Sequence, residues 1–415
     1  MKTAKILAAF AALSLVAAAC GDDDTEDTAA TEPAAAATTA APDATDEGAT
    51  DTTAADSDTT EADTTDTTAD AGGEGIDLDT NGDGTVVFGV AAAGPRDDGA
   101  YYQAMVDKAT AISEENGYAE PIVVDNITTE GAATELANLA EQGVDVILVG
   151  ASEIADPLAD LIPQYPDIFW YCNCGAGYPE TPGLAQSQDD SSEISYSAGY
   201  ATGLLLQEAG GTSAAFIGCC DLNFEKEAYL AYEMGLQAVD PSFTMTYIPT
   251  GAFPFDFDNT AGATEALNGA ITNGAGAVYP YLGGAHEPLV KLANESGLIT
   301  MAAGASDACE RDDLDYQIAV KFDGGDYLDV ILNEILDGTL EEGGVRVFRV
   351  GVDAEPGAVI CDPTPEQQAA MDEVYAQIAA GDFAADFGAI KGPGVRGRLT
   401  LVGNIPVRRT RGIRR

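Results

Sequence analysis

The sequence is short of positive charge. Its 415 residues hold 18 Lys and Arg against 70 Asp and Glu, a formal net charge of −52. A surface of that sign repels a polyanion, so nucleic acid is not an expected partner. There is a single histidine, His286. No Ser-His-Asp or Cys-His set can be assembled around it, and it reads as a structural residue rather than a catalytic one. Long apolar runs are missing too. The longest stretch of that kind, Ile6–Val16, is too short to span a bilayer comfortably.

The scarcities are unevenly spread, and their placement divides the chain. Residues 21–84 contain no Lys or Arg and almost no large apolar side chain, being Asp, Thr and Ala in the main. Such a segment cannot bury enough surface to offset its ordering entropy, and like charges keep it extended. It reads as a disordered acidic linker. Within it DTNGDG, residues 79–84, matches the start of a calcium loop, but Val90 stands where the closing Glu belongs. A polar turn before a strand is the simpler reading. Residues 396–415 hold seven Arg and no acid, a basic tail expected to be disordered. The body between, residues 85–395, has nine basic residues against 50 acidic ones. So acidic a surface looks like adaptation to a salty medium, where repulsion is screened.

At the front, Lys2 and Lys5 precede the apolar run, and Ala17–Ala18–Ala19 precede Cys20. This resembles a bacterial lipoprotein signal, which would make residues 1–20 the signal peptide and Cys20 the lipidated residue, with the linker as a tether to the cell membrane. Six further cysteines remain: Cys172, Cys174, Cys219, Cys220, Cys309 and Cys361. An even set in an exported chain suggests disulfides, with fifteen pairings open. Cys-x-Cys spacing and a lone histidine argue against a metal centre, and no cofactor is expected.

In the body, short apolar runs alternate with helical patterns. TVVFGVAAA (85–93), PIVVDN, VDVILVGA and DIFWYCN read as strands, with helices between them. The alternation then restarts with the strands SAAFIGCC, FTMTYIPT, AGAVYPYLGG and LITMAAGAS. Residues 136–173 and 267–306 echo each other as helix, Gly, strand, small-residue loop, helix, strand. A β-α-β order means a parallel sheet covered by helices. The expected fold is therefore α/β and two-lobed, each lobe a parallel sheet flanked by helices, the lobes joined by a hinge that closes around a ligand. Ligands in such sheets sit beyond the carboxyl ends of the strands.

Those ends carry the candidate residues. GPRDDGAYYQAMVDKA, residues 94–109, follows the first strand and offers Arg96, Asp97, Asp98, Tyr101, Tyr102 and Gln103. Carboxylates accept from hydroxyls or ring N–H groups, and tyrosines give a flat face and a phenol. Further ends supply Ser152, Asn173, Asp221, the run Phe253, Phe255 and Phe257 with Asp256 and Asp258, then Tyr281, Ser306 and Asp307. Lys321 closes a later strand, DYQIAVKFDGG. Aromatic faces with scattered polar groups suit a flat, polar small molecule.

Over residues 85–360 the body resembles the basic membrane protein family, the purine-nucleoside-receptor lipoproteins of bacterial ABC importers, which have a periplasmic-binding-protein-like fold. The matching stretches are DGAYYQ (98–103), SYSAGYATGLL followed by SAAFIG, the GLQAV helix, the Phe-rich loop, GASD, and AVKFDGG. The resemblance implies that Asp98 and Tyr101, with neighbouring Tyr102, contact a nucleoside. It places the base-edge role on Asn173 and base stacking on Phe253 or Phe255. Ribose binding falls on Ser306 or Asp307, and on Lys321. Tyr102 stands where the family has Asn, and Asn173 where it has Asp. The function so implied is that of a monomeric, lipid-anchored, extracytoplasmic solute-binding protein delivering a nucleoside-like ligand to an ABC permease, without catalysis. Alternatives are a ligand-sensing receptor domain, a receptor for a sugar or vitamin, and a nucleoside or glycoside hydrolase using Asp256 and Asp258.

Overall fold

The computed structural model describes residues 77–175, 178–220, 223–251 and 256–391. Cys20 and the signal, the linker as far as residue 76, Phe253, Phe255 and the tail lie outside the described residues.

The strands are β1 Phe88–Ala92, β2 Ile122–Val124, β3 Val146–Gly150, β4 Phe169–Asn173, β5 Leu184–Asp189, β6 Ser213–Gly218, β7 Thr244–Pro249, β8 Ala277–Pro280, β9 Ile299–Thr300, β10 Ile318–Lys321, β11 Val345–Phe348 and β12 Gly357–Ile360. The helices are α1 Tyr101–Asn116, α2 Ala132–Ala140, α3 Leu158–Leu161, α4 Ser191–Ala209, α5 Asn223–Val239, α6 Thr260–Thr272, α7 His286–Glu295, α8 Gly324–Leu336, α9 Pro365–Ala379 and α10 Ala384–Ile390.

Every residue of β1, β3 and β4 is buried. That is the mark of strands covered on both faces, and it explains why their sequences run apolar instead of alternating. The helices between them carry local stop and start signals. Gly117 ends α1 in the left-handed region, Asp190 caps α4 by accepting from the Ser192 amide, and Thr364 with Gln367 forms a capping box on α9. The helix expected between VDVILVGA and DIFWYCN is only the four residues of α3, because Pro163 cannot continue it.

Two lobes result. The first sheet has the order β11-β5-β4-β3-β1-β2 and all its described pairs are parallel. The second runs β7-β6-β8-β9. It continues through the Met301–Ile318 bridge into β10, which pairs antiparallel with β12. The sheets repeat one plan, with β6, β7, β8, β9 and β10 in the places of β1, β2, β3, β4 and β5. The echo between residues 136–173 and 267–306 is that repetition. The antiparallel β12 is the departure from an all-parallel expectation in the second lobe.

The lobes are not two successive lengths of chain. The chain leaves the first sheet after β5, builds the second lobe from α4 onward, and returns after β10. There α8 packs against α1 and β11 joins β5. A third crossing, residues 349–356, leads to β12. Glu193 of α4, almost fully buried, takes the Arg349 Nε at 2.7 Å and the Val350 amide at 3.2 Å, and so fixes the start of that crossing.

Some of the composition-defined linker belongs to the fold. Leu78 is buried in the first lobe's core, and buried Asp145 accepts from the Asn81 and Val87 amides and from Thr80 Oγ1. DTNGDG is a turn closed by its own side chains, Asp79 accepting from the Asp83 and Gly84 amides. The six body cysteines pair as Cys172–Cys174, Cys219–Cys220 and Cys309–Cys361.

Candidate functional site

A cavity opens between the lobes where the strand ends of both sheets meet. The first lobe lines it with Asp98, Tyr101, Tyr102, Ser152, Glu153, Asn173, Cys174 and Asp189. Ser191, Ile194 and Ser195 come from the first turns of α4, and the second lobe adds Phe224, Phe257, Tyr281 and Phe322.

The loop after β1 has the address its sequence suggests. Asp98 is 5% exposed, and its Oδ1 accepts from the Ala100 amide at 2.9 Å and the Gln103 amide at 3.0 Å. The carboxylate therefore secures the start of α1, where the free amides and the helix dipole favour a negative group. Burial nonetheless pushes its pKa up. Fixing this turn sets the two rings that follow it. Tyr101 and Tyr102 meet edge to face at 5.2 Å, and the Tyr101 hydroxyl donates to the Asn173 carbonyl at 3.3 Å. Arg96 turns away, to Asp125 at 2.7 Å and the Val123 carbonyl at 2.8 Å.

At the end of β4, Asn173 is 3% exposed and its Nδ2 has no hydrogen-bond partner. On the neighbouring strand end, Glu153 Oε2 is likewise buried without one, and burial raises the Glu153 carboxyl. Asp189, where the chain first leaves the first sheet, accepts from the Tyr327 hydroxyl of α8 at 3.1 Å. Burial outweighs that bond and pushes Asp189 up to about 6.

The opposite wall is aromatic. Phe224 and Phe257 lie face to face with centroids 6.5 Å apart, and Tyr281 stacks on Phe322 at 5.8 Å. These rings hold each other in place and line the cavity. Among the described residues no Lys or Arg lines it.

The structure thus brings Asp98, Tyr101, Tyr102 and Asn173 together and sets Lys321, Ser306 and Asp307 apart. Lys321 ion-pairs with Glu355 on the third crossing and is not in the lining. Asp307 and Ser306 line a second depression beside Gln103, Glu287, Arg311 and Asp323. Asp258, considered for hydrolysis, accepts from the Gly284 amide at 2.6 Å and does not face the cavity. His286 is fully buried, with Nδ1 on the Pro280 carbonyl and Nε2 on the Tyr316 hydroxyl, a structural histidine. Sequence reading missed Glu153, Asp189, Ser195 and Phe224. Glu153 and Asp189 each lie within three residues of a strand end, a signal that could have found them. Ser195 and Phe224 lie on helices that only the crossing brings to the cleft.

Residues 85–347 match the sequence profile of the Bmp family, described as PnrA-like ABC transporter substrate-binding proteins. The chain belongs to this family. As a Bmp protein it is a solute-binding component of an ABC transporter, with a small molecule and a permease as its partners, and it is not an enzyme. No curated protein sequence matches it. Among solved structures it is similar to an ABC transporter solute-binding protein from Conexibacter woesei, with 18% identity and TM-score 0.52 over 72% of this chain and 97% of that one. One from Aeropyrum pernix gives 15% identity and TM-score 0.56 over 74% and 90%. A transcriptional activator of the comK gene from Bacillus halodurans matches as well, with 15% identity and TM-score 0.55 over 71% and 98%. Identities this low establish the two-lobed fold alone, and one fold serves several roles.

Proposed function

We propose that this Bmp protein is a lipid-anchored receptor for a nucleoside-like compound, which it carries to its permease on the outer face of the cell membrane. The observation that carries the ligand reading is the cavity lining: six aromatic rings and three carboxylates, with no basic side chain among the described residues. Flat rings favour a planar heterocycle, and carboxylates favour a partner rich in N–H and O–H donors. A phosphorylated ligand would meet only like charge. The anchor reading rests on Lys2, Lys5, the apolar run and Cys20. In this reading Asp98, Tyr101, Tyr102, Asn173 and Asp189 contact the ligand, and Phe224, Phe257, Tyr281 and Phe322 supply the aromatic surface that the resemblance assigns to Phe253 or Phe255.

Calorimetric titration with nucleosides, the matching nucleotides, sugars and vitamins tests it. A nucleoside should bind and its 5′-phosphate should not. Tyr101→Ala should weaken binding by about 1–3 kcal/mol, through lost ring contact and the lost bond to Asn173. Lys321→Ala should matter less, because that ammonium is held by Glu355 outside the lining. Absence of nucleoside binding, or equal binding of the phosphates, would refute the proposal.

Affinity should also depend on pH. The ionised Asp189 is the better acceptor for a ligand hydroxyl or N–H. Its pKa of about 6 means that acidification neutralises it. Binding should therefore weaken as pH falls from 7.5 to 5, and Asp189→Asn should flatten the profile. A wild-type profile that is flat, or one unchanged in the variant, would remove Asp189 from the ligand contacts.

A further inference from the structure

The disulfides of the body differ most in the length of chain they close. Cys309 and Cys361 are 52 residues apart in sequence, Cys172 and Cys174 only 2. A cross-link stabilises a fold chiefly by limiting the unfolded chain, and that effect grows with the loop it closes. A bridge across a single residue limits the unfolded chain little. What it can do is fix the local geometry of the residue it encloses, here Asn173 at the end of β4.

Two residues of extended strand span about 6.6 Å. The Cα atoms of Cys172 and Cys174 are 5.1 Å apart, so the chain bends at Asn173. Both cysteines belong to the buried apolar cluster of the first lobe, with Ile154, Leu158 and Leu184, which anchors the bend in the core. The other side of the bend serves the cavity. Cys174 lines it, and the Cys174 amide donates to the Ser187 carbonyl of β5 at 3.2 Å. The Asn173 carbonyl accepts from the Tyr101 hydroxyl at 3.3 Å. Where the Tyr101 ring stands therefore depends on where the bend holds that carbonyl.

We propose that the Cys172–Cys174 disulfide is a clamp that positions the first-lobe wall of the cavity, holding the Asn173 carbonyl within reach of the Tyr101 hydroxyl so that the Tyr101 ring is set before a ligand arrives. Cys172 and Cys174 are positioning residues, acting through the Asn173 backbone and Tyr101. A wall set in advance spares the ligand the cost of ordering it, so loss of the bridge lowers affinity more than stability. The effect on affinity rests on the nucleoside-like reading, in which Tyr101 contacts the ligand. The held strand end does not depend on that reading.

Hydrogen exchange resolved to single amides, on the full chain, reads the clamp without any ligand. In the unmutated chain the Cys174 amide should exchange as slowly as the amides inside β4, although it lies past the strand end. Exchange there as fast as in an open loop overturns the proposal, and that measurement needs no variant to fold. In Cys172→Ala/Cys174→Ala the amide of residue 174 should exchange at least about tenfold faster. Calorimetry with adenosine and with inosine reads the consequence. For whichever binds, this double variant should bind about tenfold weaker. Its unfolding midpoint should fall less than that of Cys309→Ala/Cys361→Ala, whose bridge closes the long loop and lies outside the cavity lining. That second variant should bind within about twofold of the parent. Unchanged affinity in Cys172→Ala/Cys174→Ala, or affinity lost only in step with stability, overturns the clamp. Failure of both nucleosides to bind overturns the nucleoside-like reading and leaves the clamp to stand or fall on exchange at Cys174.

Discussion

Replacing Gly199 by alanine is expected to destabilise the second lobe by about 3 kcal/mol, near the top of the range for an overpacked core. Gly199 lies in the middle of α4, which is buried along most of its length. A Cβ there would stand 2.0 Å from the Tyr232 carbonyl oxygen and 3.0 Å from the Leu236 nitrogen, both backbone atoms of α5. A Cβ on Gly235 of α5 would stand the same 2.0 Å from the Tyr196 carbonyl oxygen. Each helix thus uses a glycine to admit the other's backbone. No rotamer change relieves such a contact, so the helices must move apart and loosen the Phe216 and Tyr232 core between them. The first turns of α4 also carry Ser191, Ile194 and Ser195 into the cavity. Ligand affinity should fall together with stability. Denaturant unfolding and calorimetry on Gly199→Ala would check both, and a stability change under about 0.5 kcal/mol would mean the helices are not packed this closely.

The second large effect concerns His286 and acid. Burial holds its pKa down at about 4, against an unperturbed 6.5, so the folded protein keeps it neutral. In the unfolded chain it takes a proton near 6.5. Between those values the unfolded state binds more protons, so stability is present above pH 6.5 and lost as pH falls toward 4. A gap of that size corresponds to about 3 kcal/mol once pH is below the folded value. His286→Gln should cost about 2 kcal/mol at pH 7.5 through the lost bonds to Pro280 and Tyr316. Its disadvantage should shrink at pH 4.5, where the wild type alone bears the penalty of a neutral histidine. Unfolding curves of both proteins at the two pH values would show it. A constant difference between them would contradict the linkage.

The sequence carried the alternation of strand and helix because each element is written locally. Apolar runs such as VILVG need cover on both faces, and Gly117 or Asp190 marks a helix end wherever the rest of the chain goes. It also carried the doubling, since residues 136–173 and 267–306 build the same places in two sheets. The loop after β1 was legible for a similar reason: a strand end in a parallel sheet is a ligand position by topology, and Asp98, Tyr101 and Tyr102 follow one directly.

What the sequence could not reveal depends on contacts between residues far apart in the chain. The return of α8 and β11 to the first lobe has no local sign, because helix propensity and strand pattern do not say which sheet an element joins. Lys321 looks like a ligand residue until the third crossing brings Glu355 against it. Gly150 and Asn173 stand side by side only because β3 and β4 are neighbours in register. Local chemistry determined which elements form and which faces they bury. Tertiary structure alone decided which charges are spent on one another and which buried polar atoms, among the described residues, are left without a partner, since those depend on distances that no stretch of sequence contains.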